Sequence, residues 1–175
     1  MIDPRESAEI FTVLNRYPVS EVIFHPRTAN QMYDDRANPE WFAEARNAVG
    51  HPLVYNGDLC SVNDLQTLKE LFPGQMVFMI GRGLLMNPAL AAILKGEILS
   101  SGIRKEKLME FHEQVFKAYE ARLDGGGHLL QKMNQFWFYF SFAFDNQHKA
   151  MKLVKKASNL AKYHAAVAEN FNRYF

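Results

Sequence analysis

The chain has 175 residues, of which 48% are hydrophobic, with 20 Lys and Arg against 19 Asp and Glu. This composition excludes a disordered chain and predicts one compact domain or slightly more. A single cysteine excludes a disulfide framework and a cysteine-based zinc site; we predict no metal site and expect a reducing cytoplasm as the location. The most apolar stretch, residues 136–144, has nine residues against the roughly 20 that cross a bilayer, so no membrane span is expected.

Charge is distributed unevenly along the chain. Residues 1–98 hold 8 Lys and Arg and 12 Asp and Glu, for a net charge of −4, whereas residues 99–175 hold 12 and 7, for a net charge of +5. Two halves of opposite sign predict two modules, and a polyanionic partner would meet the second one.

The first module alternates helical and strand-like segments. Residues able to cap free amides predict helix starts at Asp3 with Glu6, at Asn38 before Pro39, and at Ser61 with Asp64. The predicted elements are a helix over 4–16, a strand over 19–24, a helix from 38, a strand over 52–55, a helix over 61–72, a strand over 75–80 and a short helix from 87. Apolar runs without clean alternation indicate parallel strands that are covered on both faces.

The spacing of the strands indicates repeated βα units. They start near residues 19, 52 and 76, which is 33 and 24 residues apart, close to the roughly 30 residues per unit of a (β/α)8 barrel. Three strands cannot close a barrel. We therefore predict an α/β fold for residues 1–98, a partial TIM (β/α) barrel with about three parallel strands.

Residues 99–175 have the pattern of an all-α domain. Helices are predicted over 104–123, 128–144, 146–157 and 159–173, with a break at the three glycines of 125–127. Four helices predict a small bundle. The aromatic run of residues 136–144 puts rings all round its helix, which predicts a buried central helix; base stacking on these rings is the alternative.

A run of lysines lies in the last part of the helical domain. No acidic residue occurs over 146–168, and the same window holds Lys149, Lys152, Lys155, Lys156 and Lys162. Spacings of three and four put the first four on one helical face. That face is either a solvated surface or a contact for nucleic-acid phosphates, and composition leaves both interpretations open.

Two glycine-bearing turns follow consecutive predicted strands. Asn56-Gly57-Asp58 comes after the second strand, and Gly81-Arg82-Gly83 comes after the third. In parallel βα folds, ligands collect where the strands end, and amides between glycines next to a guanidinium suit a phosphate dianion. Each tripeptide alone is weak evidence, whereas their joint placement is stronger.

These motifs resemble those of the tRNA-dihydrouridine synthases in order and spacing. The resemblance spans residues 1–98 and is carried by His25-Pro26-Arg27-Thr28 with Gln31 and Tyr33, by Asn56-Gly57-Asp58, and by Met79-Ile80-Gly81-Arg82-Gly83 with Asn87-Pro88. It implies that residues 1–98 are the carboxy-terminal part of an FMN-binding barrel and that residues 99–175 form a basic, helical tRNA-binding domain.

The resemblance also implies a function and site residues. The family uses FMN, reduced by NADPH or NADH, to convert a tRNA uridine to 5,6-dihydrouridine. By similarity, FMN would be held by His25, Asn56, Gly57, Asp58, Gly81 and Arg82, the last two at its phosphate. The substrate side would be lined by Arg27, Thr28 and Tyr33, and tRNA phosphates would meet Lys149, Lys152, Lys155 and Lys156.

Simpler interpretations of the same residues stay open. His25 and Tyr33 could be structural side chains, Asn56-Gly57 a plain turn, and Asp58 a helix cap. Arg27 and Arg82 could form ordinary ion pairs. A non-catalytic RNA-binding remnant and a different phosphate-binding flavin barrel enzyme are the alternative functions.

The chain departs from the family at the proton donor. The family's catalytic cysteine and a flavin-contacting lysine lie on earlier strands, and Cys60, the sole cysteine, is not in that sequence context; we expect it to be a small, half-buried residue. We therefore expect an amino-terminally truncated form that is inactive alone. Its open sheet edges predict self-association or pairing with the missing half.

Overall fold

A computed structural model describes residues 6–31 and 35–175, which fall into two compact units. The first unit ends at Gly81 and the second begins at Arg82. Helices dominate both, and the one sheet has two parallel strands. Every helix within the described ranges is too short or too polar to span a bilayer.

The first unit contains three helices and two short strands in alternation. They are α1 (Glu6–Leu14), β1 (Val22–Phe24), α2 (Pro39–Ala48), β2 (Leu53–Tyr55) and α3 (Val62–Leu71). Two predicted helix starts are confirmed: Asn38 Oδ1 accepts a hydrogen bond from the Glu40 amide, and Ser61 Oγ accepts one from the Asp64 amide. The predicted start at Asp3 lies outside the described residues.

The sheet is parallel, as predicted. Val22 pairs with Leu53 and Phe24 with Tyr55. The segment predicted as a third strand makes a single parallel bridge, between Tyr55 and Phe78, and the Met79 amide donates to the Tyr55 carbonyl at 2.8 Å. The Tyr55 amide donates to the Val77 carbonyl at 3.3 Å, and the Gln75 side chain donates to the carbonyls of Leu53 and Val77, both at 2.8 Å.

The core of the first unit is a group of aromatic rings between the sheet and its helices. Phe42 is completely buried, and its ring lies 4.8 Å from that of Tyr55 and 4.9 Å from that of Phe72, measured between centroids. Other apolar side chains of the sheet region are exposed: Ile23 is 49% exposed and Met76 is 84% exposed. The aromatic side chains between the sheet and its helices are therefore buried, whereas other apolar side chains of the sheet region are exposed to solvent.

The second unit is all helical. Its elements are α4 (Arg82–Met86), α5 (Leu90–Leu94), α6 (Ser101–Glu120), α7 (Gly126–Phe140), a 3-10 turn (Ser141–Ala143), α8 (Gln147–Lys155) and α9 (Leu160–Arg173). The short helix α4 was not predicted, and it packs against α7. This packing explains why the units divide after Gly81, whereas the sequence placed the domain boundary after Ile98.

Helix α7 is central to the second unit but not buried all round. Met133, Trp137 and Phe140 point into the core, whereas Phe138 is 54% exposed and Phe142 in the following turn is 47% exposed. The prediction that the whole aromatic run is buried is therefore wrong for these two rings. The reason is helical geometry, because residues three or four apart share a face and residues 138 and 142 lie on another.

A buried polar network joins three elements of the helical core. His112 Nε2 lies 2.6 Å from the Tyr163 hydroxyl, which also accepts a hydrogen bond from Trp137 Nε1 at 3.0 Å. Burial lowers the pKa of His112 to about 4 and raises that of Tyr163. The Nε2 of a neutral imidazole can accept a hydrogen bond from the hydroxyl, so the Tyr163 hydroxyl both donates and accepts within the core.

Candidate functional site

Three of the predicted site residues lie at the carboxyl edge of the parallel strands. His25 follows β1, Asn56 follows β2, and Gly81 follows the segment that bridges to β2 through Phe78. Parallel neighbours end at the same edge of a sheet, so the polypeptide brings these three positions to one side of the first unit. This edge is where ligands bind in open parallel folds.

His25 is tied to the turn after the neighbouring strand. Its Nδ1 hydrogen-bonds the carbonyl oxygen of Asn56, and the Asn56 amide donates to the Phe24 carbonyl at 3.0 Å. A carbonyl oxygen only accepts, so Nδ1 carries the proton, and Nε2 of the neutral ring is an acceptor. The contact therefore fixes the tautomer of a half-buried histidine.

Gly57 is required by the packing of the chain itself. A Cβ at this position would lie 2.7 Å from the Cβ of Ala37 and 2.8 Å from the Tyr55 hydroxyl oxygen. Burial, followed by the charge of Asp58, raises the pKa of Tyr55 to about 12, which keeps that hydroxyl protonated. The turn after β2 is thus packed closely against the residues that precede α2.

Arg27 and Asp58 form an ion pair with each other. Arg27 Nη2 lies 2.5 Å from Asp58 Oδ2, and Nη1 donates to the carbonyl oxygen of Asp35. The same Asp58 oxygen accepts a hydrogen bond from the Ala37 amide at 2.7 Å. Arg27 is 5% exposed. An ion pair is one of the interpretations that the sequence left open for Arg27, and Ser61, not Asp58, caps α3.

The loop after Arg27 is held by side-chain hydrogen bonds. Thr28 Oγ1 accepts from the Gln31 amide at 3.2 Å, and Gln31 Nε2 donates to the Arg36 carbonyl at 2.8 Å. Tyr33, predicted on the substrate side, lies outside the described residues. A cavity of about 490 Å³ is lined by His25, Arg27 and Thr28 together with apolar side chains of α1 and β1. The structure therefore brings one predicted flavin residue and two predicted substrate residues together.

Gly81 and Arg82 are neighbours in the chain but belong to different compact units. Gly81 is the last residue of the first unit, and no described atom lies within 4 Å of a Cβ built on it. Arg82 is the first residue of α4 in the second unit. The predicted phosphate-binding role of the two residues stays a prediction.

The predicted lysine face is exposed. Lys149, Lys152 and Lys155 lie on α8, and Lys156 follows it directly; all four are accessible to solvent. In the part of the chain that the structure describes, no carboxylate pairs with any of them. Lys149 Nζ lies 4.3 Å from the centre of the Tyr174 ring. The face is thus a concentration of positive charge without neutralising partners.

Cys60 differs from its prediction. It is exposed rather than half-buried, and its amide donates to Asp64 Oδ2 at 3.0 Å at the start of α3. Over residues 6–31 and 35–175, no group of three or more His, Cys, Asp or Glu side chains could hold a metal ion.

Sequence reasoning did not reveal two features of this region. One is that the ion-pair partner of Arg27 is Asp58, and the other is a second cavity, of about 300 Å³, lined by Tyr55, Gly57, Asp58 and residues of α3. Both depend on contacts between residues far apart in the chain. The positive φ of 29° at Asp58 is likewise a local consequence of the folded turn.

Comparison with known proteins identifies the family. A model of the dihydrouridine synthase (Dus) family matches residues 2–172. A tRNA-dihydrouridine(16) synthase of Pseudomonas syringae pv. tomato is 37% identical over 82 residues, which cover 45% of this chain and 26% of that protein. The corresponding protein of Aquipseudomonas alcaligenes is 35% identical over 72 residues, 41% of this chain and 22% of that protein. The matched segments thus span about a quarter of these relatives. The chain belongs to the dihydrouridine synthase family.

Proposed function

We propose that the chain carries the flavin-binding strand ends and the RNA-binding helices of a tRNA-dihydrouridine synthase. Such an enzyme reduces the C5=C6 bond of a tRNA uridine, with FMN as cofactor and NADPH or NADH as reductant. The observation that supports this proposal most is the order of His25, Asn56 and Gly81 at one edge of a parallel sheet, in a chain of this family.

The residues at this edge fit FMN in part. The side-chain amide of Asn56 makes no hydrogen bond within the described ranges, so its donor and acceptor suit the polar edge of a flavin or its hydroxyls. The space beside Gly81 would let a phosphate approach the backbone, and the Arg82 guanidinium would match a phosphate dianion. Gly57 packs against Ala37 and Tyr55, and Asp58 accepts a hydrogen bond from the Ala37 amide, so we expect both residues to shape the turn instead of binding FMN directly.

When bound, FMN supplies hydride transfer to the uracil ring. The chain's own contribution is orientation: the Asn56 carbonyl fixes the tautomer of His25, and Thr28 and Tyr33 are proposed to line the substrate side. Cys60 does not match the family's proton-donating cysteine, because it follows the predicted flavin turn and its amide binds Asp64 at the start of α3. We therefore assign no proton donor.

The lysine face is proposed to hold tRNA phosphates. The uracil must leave the base stack to reach a flavin, and unstacking a base costs a few kcal/mol, which phosphate contacts elsewhere can offset. Lys149, Lys152, Lys155 and Lys156 supply charge on exposed side chains, and residues 146–168 around them include no acidic residue.

Enclosure of a flavin needs more strands than the first unit holds. A two-stranded sheet with one further bridge cannot form the closed, eight-stranded (β/α)8 barrel. We propose that the family's barrel is completed by strands outside these 175 residues and that the chain alone turns over slowly or not at all. Pairing or self-association would cover the exposed sheet edges.

The cofactor assignment is tested by supplying the missing strands. The amino-terminal barrel segment of a tRNA-dihydrouridine(16) synthase is added to the chain, and flavin absorbance and dihydrouridine formation in tRNA are measured. We expect both to appear, and Arg82→Ala to weaken FMN binding at least tenfold. Arg104→Ala, which removes an exposed arginine from α6, is the control and should bind FMN normally. Equal FMN affinity of the Arg82 variant and the control would contradict the phosphate role.

The RNA assignment is tested on the lysine face. Changing Lys152, Lys155 and Lys156 together to Gln should weaken tRNA binding and reduce its log–log salt slope by about 2, because each lost phosphate contact removes roughly 0.7–0.9. The control changes three scattered exposed lysines, Lys69, Lys95 and Lys107, with the same loss of charge. Salt-dependent binding without any flavin would favour an RNA-binding remnant, and flavin chemistry without tRNA would favour another barrel enzyme.

A further inference from the structure

We propose that Arg27 is a positioning residue that joins the predicted substrate loop to the predicted flavin turn. With the Asp58 carboxylate, the carbonyl of Asp35 and the amide of Ala37, it forms a set of part-buried contacts that we call the Arg27 clasp. Arg27 would then act through its neighbours and not by touching RNA. The names of the loop and the turn rest on the proposed function, whereas the contacts do not.

The guanidinium of Arg27 is held inside the first unit through both of its terminal nitrogens. Its side chain is 3% exposed, one terminal nitrogen pairs with Asp58, and the other donates to the carbonyl of Asp35. A buried guanidinium is stable only while its charge is paired and its donors are bound. Contact with an RNA phosphate would require the clasp to open and Asp58 to lose its partner.

The clasp closes both ends of the loop. Arg27 stands at its beginning, and Asp35 and Ala37 stand at its end, so the loop of residues 28–36 starts and finishes on the same buried group. The Asn38 amide also donates to the Pro26 carbonyl at 2.9 Å. Inside the loop, Thr28 and Gln31 exchange hydrogen bonds. Both described ends of the loop, residues 28–31 and 35–36, are therefore held by side-chain and backbone contacts.

The same clasp fixes the turn after β2. Asp58 accepts from Arg27 and from the Ala37 amide, and it holds a φ of 29°, a conformation that a non-glycine residue rarely adopts. Two residues earlier, the Asn56 carbonyl binds His25. The segments 25–27 and 56–58 are thus linked at both ends, and release of Asp58 should relax the turn and disturb the His25 contact.

The test compares variants of the whole chain by two measurements that need no bound flavin. Long-range nitrogen NMR of the His25 ring reports its tautomer, and hydrogen exchange reports opening at Ala37 and Asn38. Arg27→Met is expected to give a mixed His25 tautomer and at least tenfold faster exchange at these amides. Arg27→Lys, which can pair with Asp58 but lacks the forked donors, should restore part of both signals. Arg36→Met, an exposed arginine in the same loop, is the control.

A second variant distinguishes loss of the positioning role of Arg27 from a general failure of the protein to fold. Arg27→Met combined with Asp58→Asn removes both charges of the ion pair, so neither is left without its partner, and the same His25 and exchange changes are expected in a folded protein. Wild-type His25 signals and exchange in Arg27→Met, with or without weaker tRNA binding, would overturn the proposal. If these signals change while the completed barrel binds no flavin, the clasp stands and the proposed function fails.

Discussion

The two units of this chain differ in how completely each encloses its own core. In the helical unit, Trp137, Met133 and Tyr163 are completely buried among side chains from several helices. In the α/β unit, Phe42 is equally buried, yet Ile23, Val77 and Met79 at the sheet are 44–53% exposed. The helical unit also has exposed rings, such as Phe138 and Phe142, but these lie outside its core cluster, whereas in the α/β unit the exposed apolar side chains lie on the sheet itself.

The difference follows from where each kind of element finds its hydrogen bonds. A helix satisfies its backbone internally, whereas a strand needs a neighbour on each side. The Val22 amide donates to Pro52, and the Phe24 carbonyl accepts from Asn56, so alternation points the peptide groups of Ile23 away from β2. A two-stranded sheet therefore has open edges, whereas the backbone hydrogen bonds of a small helical bundle are made within each helix.

The largest expected effect is loss of the indole at the centre of the helical unit. Trp137→Ala should lower the free energy of unfolding by about 3–5 kcal/mol, because a fully buried ring is replaced by a cavity. Phe138→Ala, on the exposed side of the same helix, is the matched control and should cost less than about 1 kcal/mol. Urea unfolding followed by circular dichroism measures both. Equal losses would show that α7 does not divide into a core face and a surface face.

Acid should destabilise the helical unit through His112. Burial lowers its pKa to about 4 in the folded state, against an ordinary value near 6.5, so the unfolded chain binds the proton more tightly. Stability from this group is complete above pH 6.5, falls as the pH drops toward 4, and is constant below that. The loss should reach about 3 kcal/mol.

Fluorescence of Trp137 in a Trp41→Phe background follows this unit alone, because the chain has two tryptophans, one in each unit. His112→Gln should flatten the pH dependence between 4 and 6.5, whereas His148→Gln, an exposed histidine, should leave it unchanged. A slope that persists in His112→Gln would assign the acid sensitivity to another group.

Smaller effects are expected from two glycines at the candidate site. Gly57→Ala should destabilise the α/β unit by about 1–3 kcal/mol, since its Cβ would overlap Ala37 and the Tyr55 hydroxyl. Gly81→Ala meets no described atom within 4 Å and should be neutral or stabilising by up to about 1 kcal/mol. Thermal unfolding monitored by Trp41 compares them. A neutral Gly57→Ala would mean that the turn can move away from Ala37.

The smallest effect on stability is expected at the open sheet. Met76→Lys, at a side chain that is 84% exposed, should change the free energy of unfolding by no more than about 0.5 kcal/mol. It should nevertheless reduce self-association, because a charge on an edge opposes strand pairing. Sedimentation velocity over a range of concentrations measures this, with Met109→Lys on α6 as control. If Met76→Lys left self-association unchanged and Met109→Lys reduced it, the interface would be on the helices and not at the sheet edge.

Local signals in the sequence were enough for some elements and not for others. The caps at Asn38 and Ser61 predict the starts of α2 and α3 because a capping side chain binds amides two or three residues away. Helix α4 was missed because Gly81-Arg82-Gly83 has the composition of a loop. Its helical state depends on packing against α7, and tertiary contacts can override local propensity.

At the candidate site, too, local sequence signals predict the strand ends but not the long-range contacts. The motifs place His25 and Asn56 at neighbouring strand ends, and the structure shows them in contact. Spacing alone could not show that Arg27 binds Asp58, 31 residues away, or that His112 meets Tyr163, 51 residues away. Arginine and aspartate are common in ligand sites and in ion pairs alike, so residue type does not separate the two roles.

The single exposed thiol gives the molecule a natural attachment point for a probe. Cys60 lies two residues after Asp58 and immediately before the helix that Ser61 caps. A maleimide dye would therefore react at one known position without any prior removal of competing sulfhydryls. Its emission would report, in real time and at nanomolar concentration, when the neighbouring bend loosens or tightens as nucleotides or nucleic acids are titrated in.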